Sequence, residues 1–556
     1  MKKKMKSKKN KTRPAAKAGN KLSVNWPEWA VRGYLIMMLG LFPLYFRNGL
    51  FRLGDVKYAF FRTVTTGVLT ILAAELTVIG MVRVCLSDGK PRNWFRPVFL
   101  RGEVQKRLSC LSVTDYGILA YTGLSLLSWA LAENRAQAWT GAPYWYMGLL
   151  SQLLLAGIYF AVSRFGGWRE WMLWVMAGSG TLVFLMAYLH RFSIDPFGLR
   201  QGEFNLGYLG TIGNANFHSA YVCIVLSLMM GGYMMLWREN TREARLRRGL
   251  AVPVILLGFG TAVTQNSDSI YAGMGLSFLI LLWFALEDGE SWKRYVQLWL
   301  LAVSAAKVTG ILQNAFPERV PLLNHLSFAV TKSRGGWLVL AAVAVIYGIT
   351  CLMRKSPGAV AKGRAFGAAV RRCRRAIYGL SAAGAVCMLF LMGLSVAGVF
   401  PKEGDRLQMT LSELVWRWDN GRRTLWTLCA GAFGAYPLFR KLFGCGPDLL
   451  GYHLETYYAE AVGAVWGEVS IGNAHNEWLN AIMNYGLLGG TAYLFIFAAS
   501  AVRGLKNRHR HPFLPAVSVS VLAYMAHNFF CFQQTVCAPL IFIVIGWAEN
   551  MIRENN

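Results

Sequence analysis

Apolar stretches of about 17 to 25 residues recur from one end of the chain to the other, separated by short polar connections that are mostly basic. Each is long enough to cross roughly 30 Å of hydrocarbon. In lipid each must be helical, because backbone N–H and C=O groups there find no water to bond. The pattern predicts spans near 31–46, 63–83, 114–132, 145–163, 171–189, 215–236, 250–266, 270–286, 295–312, 335–353, 377–400, 477–502, 513–530 and 534–550, about fourteen helices in all. The expected fold class is an all-α polytopic membrane protein. Its parts are a basic tail over 1–30, a bundle of about eleven helices over 31–400, a long loop over 401–476 and about three further helices over 477–556.

Composition supports a single bundle over several soluble domains. Of 556 residues 55% are hydrophobic and 15% are charged, where a soluble chain carries about 25% charge. The net charge of +30 raises the question of nucleic acid, but the basic residues are split among many short loops and form no single patch. Most of them fall in segments such as "WRENTREARLRRG", "RKSPGAVAKGRAFGAAVRRCRRA" and "GLKNRHRHP", which sit on one side if the Lys-rich head is cytoplasmic. The positive-inside rule predicts that asymmetry, so no nucleic-acid partner is expected. The head "MKKKMKSKKNKTRPAAKAGNK" lacks an A-x-A-like site behind a short apolar core and reads as a retained cytoplasmic tail. An even number of crossings returns "RENN" to the same side. The ten cysteines lie mostly in or beside spans, apart from Cys429 and Cys445 in the long loop, where a disulfide stays an open alternative. No CxxC and no zinc-like spacing is present, so neither metal nor cofactor is expected.

This topology puts the segments near 47–62, 133–144, 190–214, 264–270, 313–335, 401–476 and 531–533 on the outer face. In the long loop, "LSELVWRWDNGRRTLWTLCAGAFGAYPLF" has helical apolar spacing around Trp416, Trp426 and Leu428. It predicts an interfacial helix, then a turn at "GCGPD" and irregular chain up to His475. Trp416 and Trp426 are expected at headgroup depth or against sugar.

The richest polar cluster is "NAHNEWLNAIMNYGLLGG". Asn476, Asn480 and Asn484 share one helix face, with Asn473 a turn earlier, so this face is expected to look into the bundle or a wet cavity. Interhelical hydrogen bonding is the plainer alternative. His475 and Glu477 favour a functional site, since an ionisable pair at the mouth of a membrane helix is costly unless used. "GTIGNANFHSAYV" places Asn214, Asn216 and His218 at the start of another span, as a helix cap or as part of a site. Asp268 in "TQNSDSIYAG" and Arg334 in "TKSRGGWL" also open outward, each readable as a boundary marker. Arg422 and Arg423 in "DNGRRTLW" suit either lipid headgroups or a diphosphate.

These motifs resemble the O-antigen ligase and polymerase superfamily of bacterial membrane glycosyltransferases. "GTIGNANFHSAYV" is similar to that family's glycine and Asn-x-Asn helix start, and "GRRTLW" before "YPLFRKLFGCGPD" to its Gly-Arg, Trp and Gly-x-Gly-Pro order. "AHNEWLNAIMNYGLLGG" follows its His-Asn-x-x-Leu and Gly-Leu-Leu-Gly. The resemblance covers about residues 200 to 490 and departs at "TQNSDSIYAG", which stands where a Ser-Arg-Gly is expected. It implies a GT-C-like fold with one large outer loop in the bacterial cytoplasmic membrane. It also implies a polyprenyl-diphosphate-linked glycan donor and a lipid, glycan or protein acceptor.

On this resemblance His475 is the catalytic base and Arg422 the stabiliser of the leaving diphosphate. Arg423, Arg334, Asn214, Asn216, His218, Asp268, Asn476, Glu477 and Asn480 are the expected substrate-binding residues. The reaction expected is an inverting, metal-independent transfer to an acceptor hydroxyl. The same site serves a ligase, a chain polymerase or a protein O-oligosaccharyltransferase. From another class, a lipid-linked glycan flippase would use the same arginines without chemistry, and a receptor or scaffold would need no titratable His475.

Overall fold

The computed structural model describes residues 26–86, 111–199, 208–320, 323–353, 376–384, 386–387, 422–467 and 471–554. The basic head, most of the predicted span 377–400, and Trp416 with the rest of 388–421 lie outside the described residues. In chain order the helices are α1 Trp26–Ile36, α2 Leu53–Leu86, α3 Val113–Ala130, α4 Arg135–Thr140, α5 Leu149–Phe165, α6 Glu170–Arg191, α7 Ala215–Gly231, α8 Arg242–Thr264, α9 Ser269–Ala285 and α10 Gly289–Ala315. They are followed by α11 His325–Lys332, α12 Gly335–Met353, α13 Arg422–Ala435, α14 Leu438–Phe443, α15 Leu450–Tyr457, α16 Ala459–Trp466, α17 Glu477–Lys506, α18 Leu514–Asn528 and α19 Ala538–Glu554. Two residue pairs, β1 Tyr208–Leu209 and β2 Gly213–Asn214, form an antiparallel ladder just ahead of α7.

A helix stands in every predicted span that the structure describes. Among the described residues seven are long and apolar enough to cross a membrane, beginning at Leu53, Glu170, Ala215, Arg242, Gly289, Gly335 and Glu477. The protein is therefore a polytopic helical membrane protein. The chain between the "GCGPD" turn and His475 differs from expectation, since two short helices, α15 and α16, stand where irregular chain was predicted. Their apolar residues Leu450, Leu454 and Val462 close with Leu425 and Leu449 over a small core, which an irregular chain would leave exposed.

The centre of the bundle is α7, α18 and α19, apolar and buried on nearly every side. Small residues let them meet: a Cβ at Gly231 would stand 2.2 Å from the Ala516 Cβ. Close backbone approach of this kind is what drives helix association in lipid, where the hydrophobic effect between helices is absent. Where α1 ends in a π turn over Met37–Leu41, the buried Lys57 of α2 donates to the carbonyls of Phe42 at 2.6 Å and Pro43 at 2.9 Å. A lysine that apolar periodicity would exclude from a span is thus held as a C-terminal helix cap.

At the end of the bundle remote from His475, one carboxylate ties three helices, α3, α5 and α19. Asp115, fully buried, closes a capping box with Ser112 at the start of α3. It also accepts from Tyr159 at 2.6 Å, Arg164 at 2.8 Å and Arg553 at 2.5 Å. Glu549 extends the network to Arg503 at 2.9 Å on α17. Replacing Asp115 by Ala removes the acceptor that Tyr159, Arg164 and Arg553 share, while Arg553 keeps Glu549, a loss of about 1.5–3 kcal/mol. The expected outcome is a clearly lower thermal midpoint of the purified protein in detergent; an unchanged midpoint would show that the network adds no stability.

Candidate functional site

The site is organised by a break in α17. Gly486 has φ 71°, a left-handed value inside an otherwise helical run, and a Cβ there would lie 2.2 Å from the Leu442 backbone. The break releases carbonyls that would otherwise be spent within the helix, and the "GCG" turn supplies their partners. Cys445 N donates to Met483 O at 3.1 Å and Gly446 N to Asn484 O at 3.0 Å. The Asn484 side chain closes the other end of the same turn, its Oδ1 accepting from Leu449 N at 3.1 Å and Leu450 N at 2.9 Å. Asp448, also left-handed at φ 56°, accepts from Ala142 N at 2.8 Å and Met147 N at 3.0 Å. The turn is thereby fixed to α17 on one side and to the 141–148 segment on the other.

His475 stands on this base. Its backbone is left-handed at φ 47°, and its N–H donates to Asn473 Oδ1 at 3.0 Å. Trp426 of α13 donates from its indole to Ala474 O at 2.9 Å, and the imidazole packs edge-on against Phe532 at 5.1 Å. Phe532 in turn meets Trp145 at 4.8 Å and Phe217 at 5.7 Å, an aromatic floor drawn from three distant segments. Burial in this setting, and then the charge of Arg422, push the His475 imidazole down to about 4. The ring is therefore neutral at physiological pH and able to accept a proton.

Arg422 opens α13, and its charge acts on His475 and Asp268 together. Asp268 lies in the turn between α8 and α9 and accepts from Asn324 Nδ2 at 2.6 Å. Burial raises its carboxyl, with Arg422 and His325 opposing. The structure thus brings together three residues singled out in sequence, His475, Arg422 and Asp268, with Arg423 adjacent on α13.

The remaining expectations divide. Asn476 caps α17, its Oδ1 accepting from Trp478 N at 3.0 Å and Leu479 N at 3.1 Å. Glu477 turns into the bundle, accepting from Gln533 N at 2.7 Å and from Asn480 Nδ2 at 3.4 Å. Asn214 caps α7 through Asn216 N at 2.8 Å, and Asn216 Oδ1 accepts from Ser267. His218 is wholly buried, 3.1 Å from Thr261 Oγ1, and belongs to the packing of α7 against α8. Arg334 is exposed at the head of α12, where its carbonyl accepts from Trp337 N. Trp426 is only 8% exposed, so it anchors the chain before His475 and is not the exposed aromatic that was expected. Its indole N–H finds a carbonyl only by going inward. Cys429 and Cys445 are both free thiols in the small core.

Sequence reading missed the segment 529–537. It was expected as a three-residue outer turn, 531–533, yet it folds inward, buried throughout from Cys531 to Cys537, and supplies Phe532 and Gln533. Its signal was the paired glutamine in "NFFCFQQTVC", polar residues that a simple lipid-face turn would not bury.

Burial pushes the Asp448 carboxyl up to about 7 from an ordinary 3.8, its two N–H bonds opposing. A raised folded value means that its stabilising contribution is present below the ordinary value and lost as pH rises through about 7. Asp448→Asn keeps an acceptor oxygen and tolerates the left-handed backbone, so it should fold as wild type and gain stability relative to it as pH rises from about 4 to about 7, with no further gain above. Asp448→Ala removes both bonds and should cost about 2–3 kcal/mol. Thermal unfolding in detergent across that pH range checks both, and equal behaviour of Asn and Ala would refute the clamp.

Comparison with known proteins bears on the same region. No curated protein matches the chain. The model of the O-antigen ligase family matches residues 320–494, a range that holds Arg334, Arg422, the Gly444–Gly446 turn, His475 and the break at Gly486. Over residues 320–494 the chain is therefore similar to the O-antigen ligase family, which supports the resemblance read from the motifs.

Proposed function

We propose that this protein transfers a glycan from a polyprenyl-diphosphate carrier to an acceptor hydroxyl at the outer face of the bacterial cytoplasmic membrane. The observation that carries the reading is the junction of a neutral, rigidly seated His475 with the charge of Arg422 at the mouth of a broken membrane helix. Fourteen crossings in a GT-C-like arrangement, with both termini cytoplasmic, put this mouth outside and agree with the basic residues gathered on the other side.

In the reaction the acceptor oxygen attacks the anomeric carbon from the side opposite the diphosphate, so the configuration inverts. The bond from that carbon to the phosphate oxygen breaks, and the electron pair leaves with the polyprenyl diphosphate. His475 takes the proton of the acceptor hydroxyl, and Arg422, with Arg423 beside it, meets the charge that grows on the leaving group. A planar guanidinium offers paired donors to phosphate oxygens. No metal is required by this scheme.

The resting imidazole, near 4, is a weak base, and its weakness comes partly from Arg422. An arriving diphosphate offsets that positive field and raises the proton affinity of His475 when a proton must be taken. The acid limb of kcat/KM, which reports the free enzyme, is therefore expected near pH 4, and the limb of kcat at higher pH. Coincident limbs at pH 6.5 would contradict this assignment of the base.

Purified protein in detergent, supplied with a lipid-linked glycan and EDTA, should transfer the glycan. Folded His475→Ala and Arg422→Ala variants should each lose at least about 100-fold in kcat. Full activity in His475→Ala would sink the proton-transfer role. Movement of the donor across vesicles with its diphosphate bond intact would replace the transferase by a flippase.

A further inference from the structure

One short segment supports two sides of the site. Phe532 supplies the ring against which the His475 imidazole packs at 5.1 Å, and its neighbour Cys531 donates from its thiol to Ser269 Oγ at 3.3 Å. Ser269 Oγ lies 2.8 Å from Ser267 Oγ, and Ser267 donates to Asn216 Oδ1 at 2.8 Å. An amide oxygen only accepts and each hydroxyl has one hydrogen, so the chain runs one way, from Cys531 through Ser269 and Ser267 to Asn216. Asp268 is the residue between the two serines. Its turn is thereby tied on one side to α7 and on the other to the 529–537 segment, and Cys531, Ser269 and Ser267 are at most 5% exposed. His527 of α18, also buried, bears on the same thiol. Asp268 itself is half-buried. It stands at the start of α9 without capping it, and among the described residues its carboxylate takes one hydrogen bond, from Asn324 Nδ2 at 2.6 Å.

We propose that Cys531 is a positioning residue, whose thiol fixes the Ser267–Ser269 turn so that the Asp268 carboxylate meets the glycan donor at a set distance from His475. The proposal rests on the transferase reading and adds what sets that distance. The hydroxyls of Ser267 and Ser269 stand one rotatable bond from the main chain, so the bonds they make fix its course. Asn324, by contrast, bonds the ends of the longer Asp268 and Asn266 side chains. Cys531 and Phe532 are consecutive, with Cα atoms about 3.8 Å apart, so the supports of Asp268 and His475 cannot move independently. One neutral hydrogen bond is a small part of the stability of such a bundle, whereas a misplaced substrate contact is costly to rate. Alanine in place of Cys531 leaves the Ser269 oxygen without its donor and frees the turn to shift, while serine is close in size and keeps a donor.

The test uses the full chain in detergent with a polyprenyl-diphosphate-linked glycan. Transfer gives kcat/KM, and quenching of tryptophan fluorescence gives donor affinity without requiring transfer. Cys531→Ala is expected to lose about tenfold in both, and Cys531→Ser to recover to within about threefold of wild type. A double-mutant cycle with Asp268→Ala separates positioning from packing. If the thiol acts through Asp268, adding Cys531→Ala to Asp268→Ala costs nothing further, whereas a merely structural thiol costs the same factor in both backgrounds. Ser269→Ala interrupts the same chain one bond further on and enters the cycle if Cys531→Ala does not fold. Additive losses, an Asp268→Ala or Cys531→Ala variant equal to wild type, or a serine variant as impaired as the alanine one would overturn the positioning role. A cycle that shows full coupling in donor affinity, with no transfer by wild type, would keep that role and remove the transferase; no donor binding by wild type would remove both.

Discussion

The structure depends on one constraint: inside a membrane bundle, every backbone N–H and C=O that leaves a helix must find a partner in protein. At Gly486 helix α17 breaks this ladder, and the carbonyls of Met483 and Asn484 would be stranded. The Cys445 and Gly446 N–H groups answer them, and the Asn484 side chain answers two N–H groups in return. This exchange ties the chain before His475 to the helix after it. Only with both fixed does His475 hold a left-handed backbone, since the cost of that conformation must be met by its surroundings.

The same constraint explains why so many polar residues near the site are not available to a substrate. Asn214 and Asn476 cap helices, Asp448 gathers two N–H groups, and Trp426 reaches a carbonyl next to His475. In a soluble active site water would take over part of this work, and fewer side chains would be committed. Here a polar residue is first a partner for backbone, and a functional role is argued only from what it has left over. By that standard His218, which bonds Thr261 inside the bundle, is packing.

Legibility in the sequence followed the range of the interactions. The apolar spans were readable because each helix satisfies its own backbone, and its length and composition are local properties. His475, Arg422 and Asp268 were readable as separate polar residues opening on one face, although their meeting depends on contacts across more than two hundred residues of chain. The roles of Asn484 and Glu477 were not readable, because their partners, Leu449, Leu450 and Gln533, carry no sequence signature for accepting or donating a backbone bond. Helical spacing around Trp426 gave the helix but not its face, since the direction of an amphipathic stripe depends on what covers it. The inward fold of 529–537 was hidden because an outer turn and a buried segment of the same composition look alike without Glu477 to accept from Gln533 N.

Carboxylates in this chain are partnered in two ways, and the difference bears on chemistry. Some meet guanidinium groups: Asp115 with Arg164 and Arg553, Glu549 with Arg503, Glu170 with Arg247, and Glu133 with Arg440 of α14. Such pairs cancel each other's field and act as fasteners. Near His475 the carboxylates accept mainly from neutral groups, Asp448 and Glu477 from backbone N–H and Asp268 from the Asn324 amide. At His475 burial, and then the charge of Arg422, depress the proton affinity of the imidazole. In the transfer proposed above, a diphosphate leaving group would offset the Arg422 part of that depression, so that binding the donor and activating the base would be one electrostatic event.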